Sequence, residues 1–264
     1  MNDFIDVTLL AVLQGVAEFL PISSSGHLVI LQHLLEVPEA LRMRLEVFLH
    51  AGTLVSIFIF YARGIWSIVQ GMVRRECESW HFAAKILVSA IPAILVYCLF
   101  KDPIEAMVGN VRMVGALLMF TGAVLVGTRY LPKGDRTIDY RRALLMGVAQ
   151  AIALLPGVSR SGMTLASARG GRISPERAAE FSFLMSAPLI MGGVLLELIK
   201  LMRGGNEPMA ADIHWVTLVW GTLLSGVVGY YSLALLVKAL KGRWFWLFGP
   251  YCMLAGLLVI CCCG

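Results

Sequence analysis

LPISSSG (residues 20–26) and LPGVSRSG (residues 155–162) are two versions of one element, the second carrying a single inserted residue. They lie about 135 positions apart, half of the 264-residue chain. Each interrupts an apolar region. Residues 7–20 run into the first break and apolar character resumes at 28–35; residues 143–155 run into the second, before a short apolar stretch to 168. No half-segment reaches the roughly 20 apolar residues that a helical span needs. A helix, a polar break and a second helix make a re-entrant hairpin, whose non-helical backbone is tolerated at membrane depth only where protein or water covers it.

Outward from the breaks, six segments have span length: 45–61, 83–100, 111–128, 179–202, 215–237 and 244–263. Three follow each break. The predicted fold class is an all-α polytopic membrane protein of two inverted repeats, each a re-entrant helix hairpin plus three transmembrane helices. The chain reads as one integral-membrane domain with pseudo-repeats at about 1–132 and 133–264. In such a plan the functional site lies near the bilayer midplane, where the broken helices meet.

Composition agrees. Apolar residues make up 58% and charged residues 15%, against about half and a quarter in soluble domains. Pro92 and Pro188 lie inside expected spans and are expected to kink them. Trp244 and Trp246 read as interfacial anchors. The net charge of +5 belongs to topology, since no basic stripe suggests nucleic acid. With both termini outside, fifteen of the 22 Lys and Arg residues fall in cytoplasmic stretches and six outside, leaving Arg160 within the second break. That is a positive-inside bias. It puts the loops 62–82 and 129–142 inside. The leader MNDFIDVTLL carries Asp3 and Asp6 and no basic residue, so the first apolar segment is expected to be retained. The six cysteines, at 77, 98, 252, 261, 262 and 263, form no CxxC pair and read as small apolar filler.

Glu18, His27 and Arg160 are ionisable groups at membrane depth, where each costs at least about 2.5 kcal/mol unless paired or hydrated. Such residues point to function, or to a polar clasp between the hairpins. Gln14 and Glu18 are four apart and share a helix face. A carboxylate beside an amide can ligate a hard cation, Mg²⁺ or Ca²⁺, leaving positions for water and phosphate. The two breaks offer hydroxyls, free backbone N–H groups and helix amino ends, which favour anions. Arg160 adds a planar fork suited to phosphate oxygens, and His27 an acid or base near neutral pH. Ser23, Ser25, Gly26, Ser159, Ser161, Gly162 and Thr164 complete the expected phosphate contacts. Glu46 and His50 open a span and read as a structural pair or outer-mouth group. Glu180 and Glu197 read as packing or end-anchoring residues.

QGVAEFLPISSSGH and LLPGVSRSGMT resemble the two signature motifs of the bacterial undecaprenyl-pyrophosphate phosphatases, the bacitracin-resistance family. The likeness covers essentially the whole chain. It implies an integral-membrane hydrolase of the bacterial cytoplasmic membrane that converts the C55 isoprenoid diphosphate to the monophosphate. That reaction recycles the lipid carrier of peptidoglycan synthesis, so the implied partners are the polyprenyl diphosphate and membrane lipids; no oligomeric state follows. The resemblance also implies two interdigitated inverted repeats with two re-entrant helix pairs. By motif position, Gln14 and Glu18 fall on the family's (Glu/Gln)xxxGlu element, Ser24 and His27 on its first loop, and Ser159 and Arg160 on its second. Gln14 stands where many members carry glutamate, which moves weight to Glu18. The type-2 phosphatidic-acid phosphatases pair a Ser-Gly-His element with a later Ser-Arg, but need a histidine where this chain has Ala166.

Two readings of the plan stay open: hydrolysis of the lipid diphosphate, or translocation of the polyprenyl phosphate carrier, since crossed broken helices also build transporters. Within hydrolysis, the nucleophile is a serine or an activated water. Ser24 is the serine chosen, because it lies mid-break, three residues before His27, and one turn could join the two side chains. Ser23 and Ser25 then bond phosphate or backbone, and Ser159 donates beside Arg160.

Overall fold

The computed structural model describes residues 3–132, 134–202, 214–242 and 244–262. Lys133, Arg203, Arg243 and Cys263, with the side chains of Glu197 and Lys200, lie outside the described residues. The first half runs α1 (Asp3–Ala17), α2 (Ser24–Leu34), α3 (Glu39–Phe60), α4 (Ala62–Val73), α5 (Cys77–Val108) and α6 (Val111–Gly127). The second runs α7 (Tyr140–Ile152), α8 (Arg160–Gly170), α9 (Pro175–Met202), α10 (Trp215–Gly242) and α11 (Phe248–Cys262). Among the described residues the one β-type contact is an isolated bridge from Arg136 to Ile173.

Five stretches are long and apolar enough to cross a membrane: Cys77–Ile104, Val111–Tyr130, Pro175–Leu196, Trp215–Gly242 and Phe245–Cys262. A sixth is a bent pair, Arg44–Phe60 with Ala62–Val73, turned by 70°. The all-α, multi-pass class therefore holds, and each expected span falls on a helix. Two boundaries differ. The expected span 45–61 belongs to a helix that starts at Glu39, directly after Pro38, whose extended backbone stands at the N-cap. Part of the expected loop 62–82 is α4, with Trp66, Val69 and Val73 exposed and Gly71 buried. Twelve residues with one apolar face fit the membrane surface rather than a span. Pro92 and Pro188 lie inside continuous helices, and the departure from helical dihedrals in α5 comes at Phe100, ahead of Pro103. Trp246 lies beneath the Arg129 guanidinium, 4.6 Å from its ring centre.

Close backbone approach replaces apolar burial as the packing force between helices in lipid. Gly115 and Gly122 share one face of α6, and Gly249 and Gly256 one face of α11. A Cβ on Gly256 would lie 2.4 Å from the Gly115 carbonyl oxygen, and one on Gly122 2.7 Å from that of Gly249. Around the breaks the core is larger. Phe19 and Phe183 pack with ring centres 5.4 Å apart, in one cluster with Phe181 and Leu165. The packing also crosses between halves: α1 lies on α10, and α7 on α5.

The two breaks occupy corresponding places but differ in backbone, the cap residue having φ 72° in the first and −74° in the second. Six residues, Glu18–Ser23, join α1 to α2, and seven, Ala153–Ser159, join α7 to α8. Each second helix is capped alike. Ser23 Oγ accepts from Gly26 N at 3.3 Å, and Ser159 Oγ from Gly162 N at 3.1 Å, the arrangement that makes serine a preferred N-cap. The inserted position lets the second break turn through Gly157, whose φ of 97° is readily open only to glycine. There the breaks touch, since a Cβ on Gly26 would come within 3.1 Å of Gly157 Cα.

Candidate active site

Glu18 is the first residue beyond α1, at 6% exposure, and its carboxylate gathers groups from three parts of the chain. Ser24 Oγ donates to Oε2 at 2.7 Å and Gln14 Nε2 to the same oxygen at 3.2 Å. Arg160 donates to Oε1 from the second break. His50 Nε2 stands 3.5 Å from Oε2. An anion so placed is held by opposite charge and hydrogen bonds together. Removing one partner of such a buried pair costs about 3–5 kcal/mol.

Glu18, Ser24, His50 and Arg160 face one cavity of about 270 Å³. Its polar wall is Glu18, Ser24, Ser25, His50, Gln150, Arg160 and Ser186; its apolar wall includes Leu154, Val158, Leu189 and Ile190. Polar and apolar walls on one chamber suit a charged head group carrying a greasy tail.

The other expected residues lie around this cavity or behind it. Ser23, with φ 72°, caps α2 and stands 3.4 Å from Ser25 Oγ. Ser159 caps α8 and donates its N–H to Thr121 Oγ1 at 3.1 Å. Gly26 and Gly162 serve as the capped N–H groups. Ser161 Oγ donates to the Leu20 carbonyl at 3.3 Å, tying the breaks together. Thr164 Oγ1 donates to the Arg160 carbonyl at 2.8 Å and lies 2.6 Å from Ser182 Oγ. Ser159, Ser161 and Thr164 are thus engaged with protein partners and buried.

His27 does not meet Ser24. Its Nδ1–H donates to the Ser23 carbonyl at 2.9 Å, leaving Nε2 to accept the Tyr251 hydroxyl at 2.9 Å, with the two rings stacked. No free lone pair remains on the ring for a serine proton, and His27 is not among the residues described as lining the cavity. His50 is. Its Nδ1–H donates to the Glu46 carbonyl at 2.7 Å, which directs Nε2 towards Glu18. Because α3 begins at Glu39, His50 sits in the helix's fourth turn rather than at a span's mouth. The membrane depth of a histidine was the available signal, and the late span boundary concealed it. Gln150 was also missed, having no charge to mark it.

No group of three or more His, Cys, Asp or Glu side chains able to hold a metal occurs among the described residues. A hard cation does not need one, because Mg²⁺ is commonly held by one or two carboxylates with water and substrate phosphate. Gln14 Oε1 is buried without a hydrogen-bond partner, beside the Glu18 carboxylate that its own amide nitrogen holds. Gln14 Oε1 and the Glu18 carboxylate are the oxygens available to such an ion, the carboxylate already accepting from Ser24, Gln14 and Arg160.

Residues 7–258 match the family described as bacitracin resistance protein BacA. The chain belongs to the BacA family. Among BacA relatives, the undecaprenyl-diphosphatase of Halothermothrix orenii is 34% identical over 261 residues, covering 98% of this chain and 97% of its own. The one from Thermotoga maritima is 37% identical over 253 residues, covering 95% and 97%. That of Salinibacter ruber is 35% identical over 268 residues, covering 95% and 96%.

Proposed function

We propose that this chain is an undecaprenyl-diphosphatase that performs phosphoryl transfer in the Glu18–Arg160 cavity. The reaction is hydrolysis of a phosphorus anhydride, releasing phosphate and the lipid monophosphate that carries peptidoglycan precursors. The observation that carries the site assignment is the single carboxylate of Glu18, bonded at once to Ser24 of its own break and Arg160 of the other.

Ser24 is the nucleophile. A serine hydroxyl is weak until a neighbouring group takes its proton, and Glu18 Oε2 accepts that proton's hydrogen bond. Attack forms the Ser24 Oγ–P bond and breaks the bond from phosphorus to the bridging oxygen, so the lipid monophosphate leaves. The Oγ proton passes to Glu18. Arg160, with Nη1 buried and without a partner, offers a second donor direction to the phosphoryl oxygens as charge shifts between them. The apolar wall at Leu189 and Ile190 receives the first carbons of the tail.

Glu18 and Gln14 Oε1 would hold a divalent cation, Mg²⁺ or Ca²⁺, which supplies neutralising charge at the diphosphate. Phosphate release from C55 diphosphate by the purified protein tests both statements. Release that stops in excess chelator and returns with added Mg²⁺ or Ca²⁺ is expected. Full release under chelation would remove the cation, and no release under any condition would remove the activity.

The enzyme lies in the bacterial cytoplasmic membrane as two inverted repeats with both termini outside. The matched serine caps of the two breaks, the crossed packing of α1 on α10 and α7 on α5, and the fifteen-to-six charge split support this arrangement. In a cysteine-free background, Asp135→Cys should label only after the membrane is permeabilised. Labelling by an impermeant reagent from outside intact cells would overturn the orientation.

A further inference from the structure

Four buried polar atoms near this cavity have no hydrogen-bond partner among the described residues: Gln14 Oε1, Arg160 Nη1, and both ends of the Gln150 amide. Native proteins leave few such atoms unpaired, and each asks for an explanation. The chemistry of each selects its missing partner. Arg160 Nη1 only donates, so it suits a phosphoryl oxygen. Gln14 Oε1 only accepts. Gln150 needs one partner of each kind.

Gln150 is 2% exposed in the last turn of α7 and lines the cavity. It cannot drift far, because a Cβ on Gly147, one turn earlier, would lie 2.3 Å from the Ser89 carbonyl oxygen. The cavity's other polar side chains do not hydrogen-bond Gln150: Ser186 Oγ donates to the Phe183 carbonyl at 2.8 Å, and Ser24 and Arg160 are bonded to Glu18. An ionised diphosphate offers acceptors, which satisfy Nε2 and leave Oε1 empty. Water satisfies Oε1 while Nε2 holds a phosphoryl oxygen, and water held in this way shares the cavity with the phosphoryl group on Ser24. An amide orienting the attacking water is an established device in phosphoryl transfer.

We infer that Gln150 positions the hydrolytic water of this enzyme. The inference rests on the phosphoryl-transfer reading above, and the step is the breakdown of the phosphoseryl intermediate. The water oxygen forms a bond to phosphorus and the P–Oγ bond to Ser24 breaks. Glu18 returns its proton to Ser24 Oγ; one water hydrogen stays on the released phosphate and the other leaves to solvent, which restores both residues. The amide keeps its own protons throughout.

The test uses the full-length protein in detergent with C55 diphosphate. Gln150→Leu removes both amide functions at similar volume, and exchanging an unpaired buried amide for an apolar group does not destabilise a fold. The melting temperature should therefore hold or rise. Turnover should fall by about 10²-fold, with KM changed less than about threefold, the split of a lost transition-state contact. With methanol added, the ratio of methyl phosphate to phosphate should rise, because bulk alcohol no longer competes with an anchored water. Gln150→Glu keeps an acceptor for the water but sets a negative charge against the diphosphate, so it should raise KM by repulsion while leaving that ratio near the wild-type value.

A raised KM with unchanged turnover in Gln150→Leu would overturn the inference and make Gln150 a head-group contact. So would a lowered melting temperature that accounts for the lost turnover, or an unchanged methanol ratio. Wild-type protein that forms no phosphoserine would sink the Ser24 reading alone. The methanol ratio is read on product and still decides the role of Gln150.

Discussion

Ser24→Ala is expected to lower turnover by about 10⁴-fold or more, the scale of loss when a covalent nucleophile is removed and binding survives. The hydroxyl is the only one in the first break bonded to Glu18, at 2.7 Å. Neither neighbour stands ready to replace it, since Ser23 is occupied as the cap of α2 and pairs with Ser25. Stability should change little, because Ser24 is only half-buried and its partner keeps Gln14 and Arg160. Stopped assays of phosphate release in detergent, beside a thermal melt, measure both quantities. Residual turnover within about tenfold of wild type would mean that water attacks directly and Ser24 only binds.

Arg160→Lys is the second large effect. The guanidinium offers two nitrogens: one holds Glu18, and the other is buried without a partner in a residue that lines the cavity. An ammonium is a point charge and cannot serve both in a fixed plane. Turnover should fall by about 10²–10³-fold, the cost of losing one well-placed donor to the reacting group. Arg160→Ala should lose more and also destabilise the protein by roughly 3–5 kcal/mol, because the Glu18 carboxylate stays buried without its countercharge. Lysine is the more telling variant for that reason. Near-normal kcat/KM in Arg160→Lys would show that the fork is not used in the transition state.

Much of this was legible in the sequence because membrane burial makes charge conspicuous. Glu18 and Arg160 stand 142 residues apart, yet each had to find a partner or water, and the repeated break indicated where. The helices followed from apolar length, and the two capped breaks from serine and glycine spacing. What escaped the sequence was direction. Ser24 and His27 are close along the chain, but Tyr251, from α11, takes the ring nitrogen that Ser24 would have needed. His50 entered instead from α3, and its place depends on a helix start that Pro38 sets six residues before the apolar run suggested. Gln150 is uncharged in an apolar half-helix; GVAQ at 147–150 repeats GVAE at 15–18 and aligns it with Glu18, but its unpaired amide shows only in the folded cavity. Short α4 is amphipathic, and a search for 20-residue apolar runs passes over it.

The two breaks are held to form one site in which Ser24 carries the phosphoryl group. Rapid quenching of wild-type protein during turnover of terminally labelled C55 diphosphate, followed by peptide mapping, tests this most directly. Label is expected on the peptide containing Ser24, forming before free phosphate and absent from Ser24→Ala. Label on another residue, or phosphate release at the full rate with the protein unlabelled throughout, would contradict it.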